Sequence, residues 1–178
     1  MSLARKLALF LAIAAAANLA TVAALPRLIN AVVLHRMAQL AGGPNRAMPA
    51  PRADASARAV VRPSPDLLYT VCVFDVSERP LRITAPVQDS YVSVSGFAAD
   101  TDNFFAINDA ALEPGPDGVK RFDLVVAKAG ATGLPAGARV ITAPSDRGLI
   151  LFRTLITRDA DLPRLQRDFQ ARQECRSI

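Results

Sequence analysis

The side chains in this sequence best suited to chemistry are a few carboxylates, one arginine and a tyrosine. Asp100, Asp102 and Asp109 flank the segment Thr101–Asn108, and Asp66 and Asp75 bracket the apolar run Leu67–Phe74. Acidic pairs of this kind perform general acid–base work or hold a hard cation such as calcium. The commoner use of Asp and Asn at strand ends is to build turns and caps. Arg153 stands among apolar neighbours in Leu149–Ile156, where a guanidinium either pairs with a core carboxylate or recognises an anion. Asp66, Tyr69, Asp100, Asn103 and Arg153 form the candidate ligand-binding set. No catalytic residue, metal site or cofactor is expected.

Composition removes several chemistries. The only histidine is His35, so residues 64–178 contain none. Ser-His-Asp or Cys-His catalysis and histidine-based zinc sites cannot be built there. His35 itself reads as an interfacial polar residue. No Gly-rich loop of phosphate-binding spacing occurs. Cys72 and Cys175 are the only cysteines. In an oxidising compartment they can pair, closing a loop of about 100 residues and tying the end of the chain to the core. Unpaired, Cys72 is equally at home as a small buried hydrophobe. A catalytic thiol is disfavoured, because the apolar run around Cys72 opposes a thiolate.

The elements that must position these side chains are mainly strands. Leu67–Phe74 is a continuous apolar, β-branched and aromatic run, the pattern of a strand buried on both faces. Beyond Arg79-Pro80, Leu81 and Ile83 alternate with Arg82 and Thr84. In Tyr91–Phe97, Val92 and Val94 take one face and the serines the other. Further strands are expected at Asn103–Ile107, Val119–Ala127, Arg139–Thr142 and Leu149–Ile156. Short strands separated by Pro, Gly, Asp and Asn clusters indicate an antiparallel sandwich or barrel. Leu162, Leu165 and Phe169 then recur at helical spacing behind Asp161, with Pro163 in the first turn, predicting an amphipathic helix at about 160–174.

Upstream, Leu7–Leu25 is an almost unbroken apolar run preceded by Arg5 and Lys6. As a helix it spans about 28 Å, close to the hydrocarbon thickness of a bilayer. The run continues past Pro26 through Leu28, Ile29, Val32, Val33 and Leu34, which favours a retained anchor over a cleaved signal peptide. The helix is expected to kink at the proline and to end at Gly42-Gly43-Pro44. Residues 42–63 are rich in Pro, Ala and Arg, the composition of a linker that could reach roughly 65 Å; a loop packed on the domain is the alternative. The expected units are thus 1–41, a membrane helix and its extension; 42–63, the linker; and 64–178, a β-rich globular domain.

The charge distribution agrees with that division. Residues 1–63 carry eight basic residues against one acidic, a net of +7, whereas residues 64–178 carry thirteen against fifteen, a net of −2. The excess belongs beside the membrane, where anionic headgroups attract it by about 1 kcal/mol per residue. Nucleic-acid binding is not expected. The short basic N-terminus suits an N-inside signal-anchor with the domain outside the cytoplasm, although Arg27 and Arg36 nearly balance Arg5 and Lys6.

From Ser64 onward the chain resembles the domain-of-unknown-function 1254 family of bacterial proteins. Ser64–Thr70 looks like that family's N-P-D-T-x-Y-S entry into a strand, with Asp75 and Pro80 matching its D-L-S…P. Tyr91 and Asp100–Phe104 look like Y-x-V…D-x-x-T-N-N-F. Pro135, Gly137, Val140, Ala143–Ser145 and Arg153-Thr154 look like P-x-G…V…S-P-T…R-T. Ser64 and Leu67 replace the family's Asn and Thr. The resemblance covers about two-thirds of the chain and implies a β-sandwich and a cell-envelope setting, with no reaction attached. Many members carry a second C-terminal domain, which raises the expectation of a separately encoded partner protein supplying it. The fold expected is mainly β, a jelly-roll-like antiparallel β-sandwich with an N-terminal membrane helix and a C-terminal amphipathic helix. The function expected is a non-catalytic binding or assembly module, held at the bacterial inner membrane by the lipid bilayer and displayed in the periplasm. An envelope enzyme or small-ligand binder using the carboxylate, Arg and Tyr side chains is the alternative, as is a cleaved, soluble periplasmic form.

Overall fold

The computed structural model describes residues 1–58, 62–88 and 90–178. A single helix, α1, runs from Leu3 to Leu40 with Pro26 inside it. Its interior is Ala- and Leu-rich, and every residue from Leu3 to Ile29 is exposed, so no protein packing accounts for its apolarity. Pro26 has no N–H for the Val22 carbonyl; one residue on, Arg27 Nη1 donates to the Ala23 carbonyl at 2.7 Å. The C-terminus closes as the glycines suggest. Gly42, at φ 74°, donates to the Gln39 carbonyl and Gly43 to that of Ala38, the Schellman pattern that satisfies carbonyls left over at a helix end.

The strands form two packed sheets. In chain order they are β1 (Ala47–Pro49), β2 (Leu67–Asp75), β3 (Leu81–Pro86), β4 (Val92–Ala98), β5 (Asn103–Asn108), β6 (Arg121–Ala127), β7 (Arg139–Thr142), β8 (Arg147–Leu155) and β9 (Glu174–Ser177). One sheet has the order β1-β2-β8-β4-β5 and the other β7-β6-β3-β9. All pairings are antiparallel except β6 with β7, which is parallel. The inner faces interlock through Phe74, Leu81, Ile83, Val94, Phe122, Leu124, Ile150 and Phe152, all fully buried. At about 1.5–3 kcal/mol per buried large side chain, this layer is the main stabilising element. Cys72 on β2 and Cys175 on β9 form a disulfide across it, joining one sheet to the other over 103 residues of sequence.

Three elements differ from the sequence expectation. The linker composition of 42–63 does not produce a free tether at its start. β1 pairs with β2, Asn45 exchanges hydrogen bonds with Asp75 through Nδ2 and Oδ1, and Ala53 is buried. This stretch follows the packed alternative; residues 59–61 of it lie outside the described residues. The expected helix at 160–174 is shorter. After a 3₁₀ turn, α2 spans only Leu162–Asp168, and the chain turns at Gln170–Arg172 into β9. Leu165, buried against Leu68 and Ile156, is what that helix contributes. Its follow-on glutamines plug the end of the sandwich: Gln170 Nε2 donates to the carbonyls of Ala50 and Tyr69, and Gln173 Nε2 to Thr154 Oγ1. Finally, the outer side of β2 is buried only at Val73. Leu68, Thr70, Cys72 and Phe74 point inward, while Leu67, Tyr69 and Val71 remain partly exposed.

Candidate functional site

The outward side chains of the five-stranded sheet fall into rows fixed by strand register. Tyr69 on β2 lies opposite Arg153 on β8, which lies opposite Ser93 on β4. The next row is Val71, Leu151 and Ser95, followed by Val73, Leu149 and Phe97; Leu67 faces Leu155 on the other side. Arg153 thus stands within an apolar surface of leucines and valines. Its Nη1 donates to Ser95 Oγ at 3.0 Å. Among the described residues it makes no ion pair. A guanidinium carries five donors in a fixed fork, so most of its bonding capacity faces outward. Ser93 is only 3% exposed, and its Oγ has no hydrogen-bond partner. Tyr69 is anchored by accepting from the Ser64 backbone N–H at 3.0 Å.

The other outer face is quite unlike this one. On the four-stranded sheet Arg82 grips Asp123 through two hydrogen bonds of 2.8 and 2.7 Å, and Thr84 bonds Glu174. The Arg82 guanidinium holds the Asp123 carboxyl below its ordinary value despite partial burial. That face is internally paired and suited to water. The five-stranded face carries one ion pair, Asp75 with Arg147 at the far end of β2 and β8; among the described residues none involves Arg153.

Only two of the five sequence candidates meet. Tyr69 and Arg153 are cross-strand neighbours. Asp66 is an exposed turn residue at the start of β2 whose carbonyl accepts from Ile156 N. Asp100 and Asn103 belong to the β4–β5 turn. Asp100 Oδ1 accepts from Asp102 N, and Asn103 Nδ2 clamps the Gly96 and Phe105 carbonyls where the register shifts. The turn is at the Asp75 end of the sheet, about 30 Å along β2 from Asp66 at strand rise. Asp75 and Asp109 also serve structure. Partial burial pushes the Asp75 carboxyl up, but Ser77 and Arg147 together outweigh that and hold it below its usual value; Asp109 accepts from Val92 N. Among the described residues no cluster of three acidic, His or Cys side chains could hold a metal. Ser93, Ser95 and the leucines of β8 were not singled out in the sequence. Their signal was the alternation that sets the serines on the face opposite the core valines, the same face as Arg153.

The family model for proteins of unknown function DUF1254 matches residues 44–177. The chain belongs to this family. The match begins just before β1, so the DUF1254 unit includes the segment whose composition reads as a linker. No curated protein matches the chain. Two crystal structures resemble it in fold. The VPA0106 protein from Vibrio parahaemolyticus has a TM-score of 0.63 at 15% identity, covering 86% of this chain and 35% of its own. An uncharacterized protein from Burkholderia cenocepacia has a TM-score of 0.55 at 16% identity, covering 82% of this chain and 38% of its own. This DUF1254 chain therefore spans little more than a third of the length of either solved relative.

Proposed function

We propose that the protein is a non-catalytic assembly module, anchored by α1 in the bacterial inner membrane with its β domain in the periplasm. The outer face of the five-stranded sheet is its docking surface. The observation that carries the reading is the setting of Arg153: leucines and valines surround it on the outer face and, among the described residues, it lacks a carboxylate, whereas Arg82 on the opposite face is paired with Asp123. Interfaces concentrate their energy in buried Tyr and Arg anchors ringed by apolar contacts, and Tyr69 and Arg153 have that setting. The expected occupant is an envelope polypeptide presenting an acidic or carbonyl acceptor for Arg153 within an apolar contact. The disulfide supports a location outside the cytoplasm, since such bonds persist in oxidising compartments. The helix supports anchoring: its apolar window has a mean hydropathy of 2.2 and none of it is buried in the protein.

The test is purification from detergent extracts of native membranes. A stoichiometric partner is expected with the native chain and is lost from Leu151→Asp, whose side chain is already partly solvated and should leave the fold intact by circular dichroism. Recovery of no stoichiometric partner, or equal recovery with the folded variant, overturns the reading. The unpartnered Ser93 Oγ beside Arg153 favours a second reading, a small anionic ligand held by Arg153 and Tyr69. Saturable carboxylate binding to the isolated protein that Arg153→Gln abolishes would select it.

A further inference from the structure

A cleft of about 550 Å³ lies between the C-terminal half of α1 and the strand ends of the domain. On the helix side its wall is Ala31, Leu34 and Ala38; on the domain side it is Val73, Phe74 and Pro144. The helix is fastened there by Asn30, whose Nδ2 donates to the carbonyls of Ala98 and Ala99 at 3.3 and 2.8 Å, and by Leu34, which is buried. The size suits a small amphiphile. The first lining residue, Arg27, comes two positions after the apolar run ends at Leu25, so the cleft opens where a membrane-spanning helix would leave the bilayer.

The charges lining the cleft narrow the occupant. Asp75 and Arg147 neutralise each other at 2.7 Å. Arg27 and Asp100 remain, and neither forms an ion pair among the described residues, although both line the same space. His35 adds a polar group on the helix side. A ligand matching a lone cation, a lone carboxylate and an apolar wall needs a phosphate, an amine with N–H donors and a hydrocarbon chain. We propose that the cleft binds an amine-bearing zwitterionic phospholipid taken from the adjacent leaflet. Its phosphate meets Arg27, its ammonium meets Asp100, and one acyl chain lies against Leu34, Val73 and Pro144. This rests on the membrane reading of α1 given above. Each buried methylene of the chain adds to the affinity, so binding depends on the wall as much as on the charges.

The experiment uses the full chain in nanodiscs with photoreactive acyl-chain analogues of phosphatidylethanolamine and phosphatidylglycerol. Cross-links are mapped by mass spectrometry. The ethanolamine lipid is expected to label peptides containing Leu34 or Val73–Phe74 at least several-fold more than the glycerol lipid. Ala31→Phe, at an exposed helix position that fills the cleft, removes that labelling. Asp100→Asn abolishes the preference for the amine head, and Arg27→Gln weakens both lipids. Labelling confined to residues 7–25, or unchanged by Ala31→Phe in a folded protein, overturns the proposal. Carbonate washing reads anchoring by itself: release of the chain defeats the membrane reading, whereas a retained chain without cleft labelling defeats the lipid site alone.

Discussion

Arg82 and Arg153 occupy outward positions on opposite sheets, and their surroundings separate an arginine paired within the domain from one with no carboxylate partner among the described residues. Arg82 makes two bonds to Asp123; Arg153 makes one, to a serine hydroxyl. The Arg82–Asp123 pair is about one-third exposed on each side, which limits its value to about 1 kcal/mol or less. Because the folded-state pKa of Asp123 lies below the usual 3.8, the stabilisation is present above the ordinary carboxylate range and is lost as pH falls through the lowered value. Asp123→Asn should therefore cost up to about 1 kcal/mol near neutrality, and urea titrations should show the difference vanishing in strong acid. A difference that grows with acidification would refute the assignment. Arg153 predicts the reverse profile. Its single hydrogen bond at a partly exposed site implies that Arg153→Lys changes stability by less than about 1 kcal/mol. The same substitution removes the planar fork and should lose the partner in co-purification. A stability loss of several kcal/mol with the partner retained would make Arg153 structural.

At the scale of elements, close packing gives the sharpest prediction. Gly148 begins the inward side of β8, and a Cβ there would overlap the Phe97 carbonyl and lie 2.6 Å from the Phe74 ring. Backbone cannot yield as a flexible side chain would, so Gly148→Ala should destabilise by about 1–3 kcal/mol; thermal melts within 1 °C of the native protein would contradict this. The disulfide gives another. It closes 103 residues, so its removal as the Cys72→Ala, Cys175→Ala double variant should cost about 2–5 kcal/mol, read as a fall in urea midpoint that reductant reproduces in the native protein. Elements with strong alternation were legible in sequence: β4 and β8 lie within a residue or two of their expected bounds. β1 and β9 were not, because strands of three and four residues with Pro49 or Cys175 in them carry no period of their own. They exist through pairing with β2 and β3, information that lies far away in the chain. The apolar run of β2 was legible as hydrophobic on both sides, but only the inner side faces the sandwich core, and on the outer side only Val73 is buried. Leu67, Tyr69 and Val71, partly exposed on that outer side, belong to the docking surface proposed above. By contrast, the convergence of candidates was illegible, since register decides that Tyr69 meets Arg153 while Asp66 and Asp100 lie at opposite ends.

For the whole molecule, the docking of α1 onto the domain replaces a long leash with a short rigid stalk. A free linker over 42–63 would let the domain wander tens of ångströms from the bilayer. Instead, Asn30 meets the end of β4 through Ala98 and Ala99, while Asn45, just past the helix, meets the end of β2 through Asp75. The helix therefore crosses the strand ends in the order β4 then β2, and the β5 edge is the one nearer the apolar segment. From Leu25 to Asn30 is five residues, about 7.5 Å of helix, so in a bilayer the β5 edge should sit at headgroup level. The β1 edge is four strand spacings away, about 19 Å. A fluorophore on Ala106→Cys of β5 should then be quenched strongly by headgroup-labelled lipids in nanodiscs, and one on Ala55→Cys beyond β1 only weakly; both positions are exposed and small. Unlocking the stalk with Asn30→Ala and Leu34→Ala should bring the two signals together without altering the far-ultraviolet spectrum of the domain. Equal quenching in the native protein would show that the domain is not held upright, and stronger quenching at Ala55 would invert the orientation. On the membrane and assembly reading proposed above, the upright arrangement would turn the Tyr69–Arg153 face sideways, parallel to the membrane normal, where a neighbouring domain at the same height would meet it without leaving the bilayer surface.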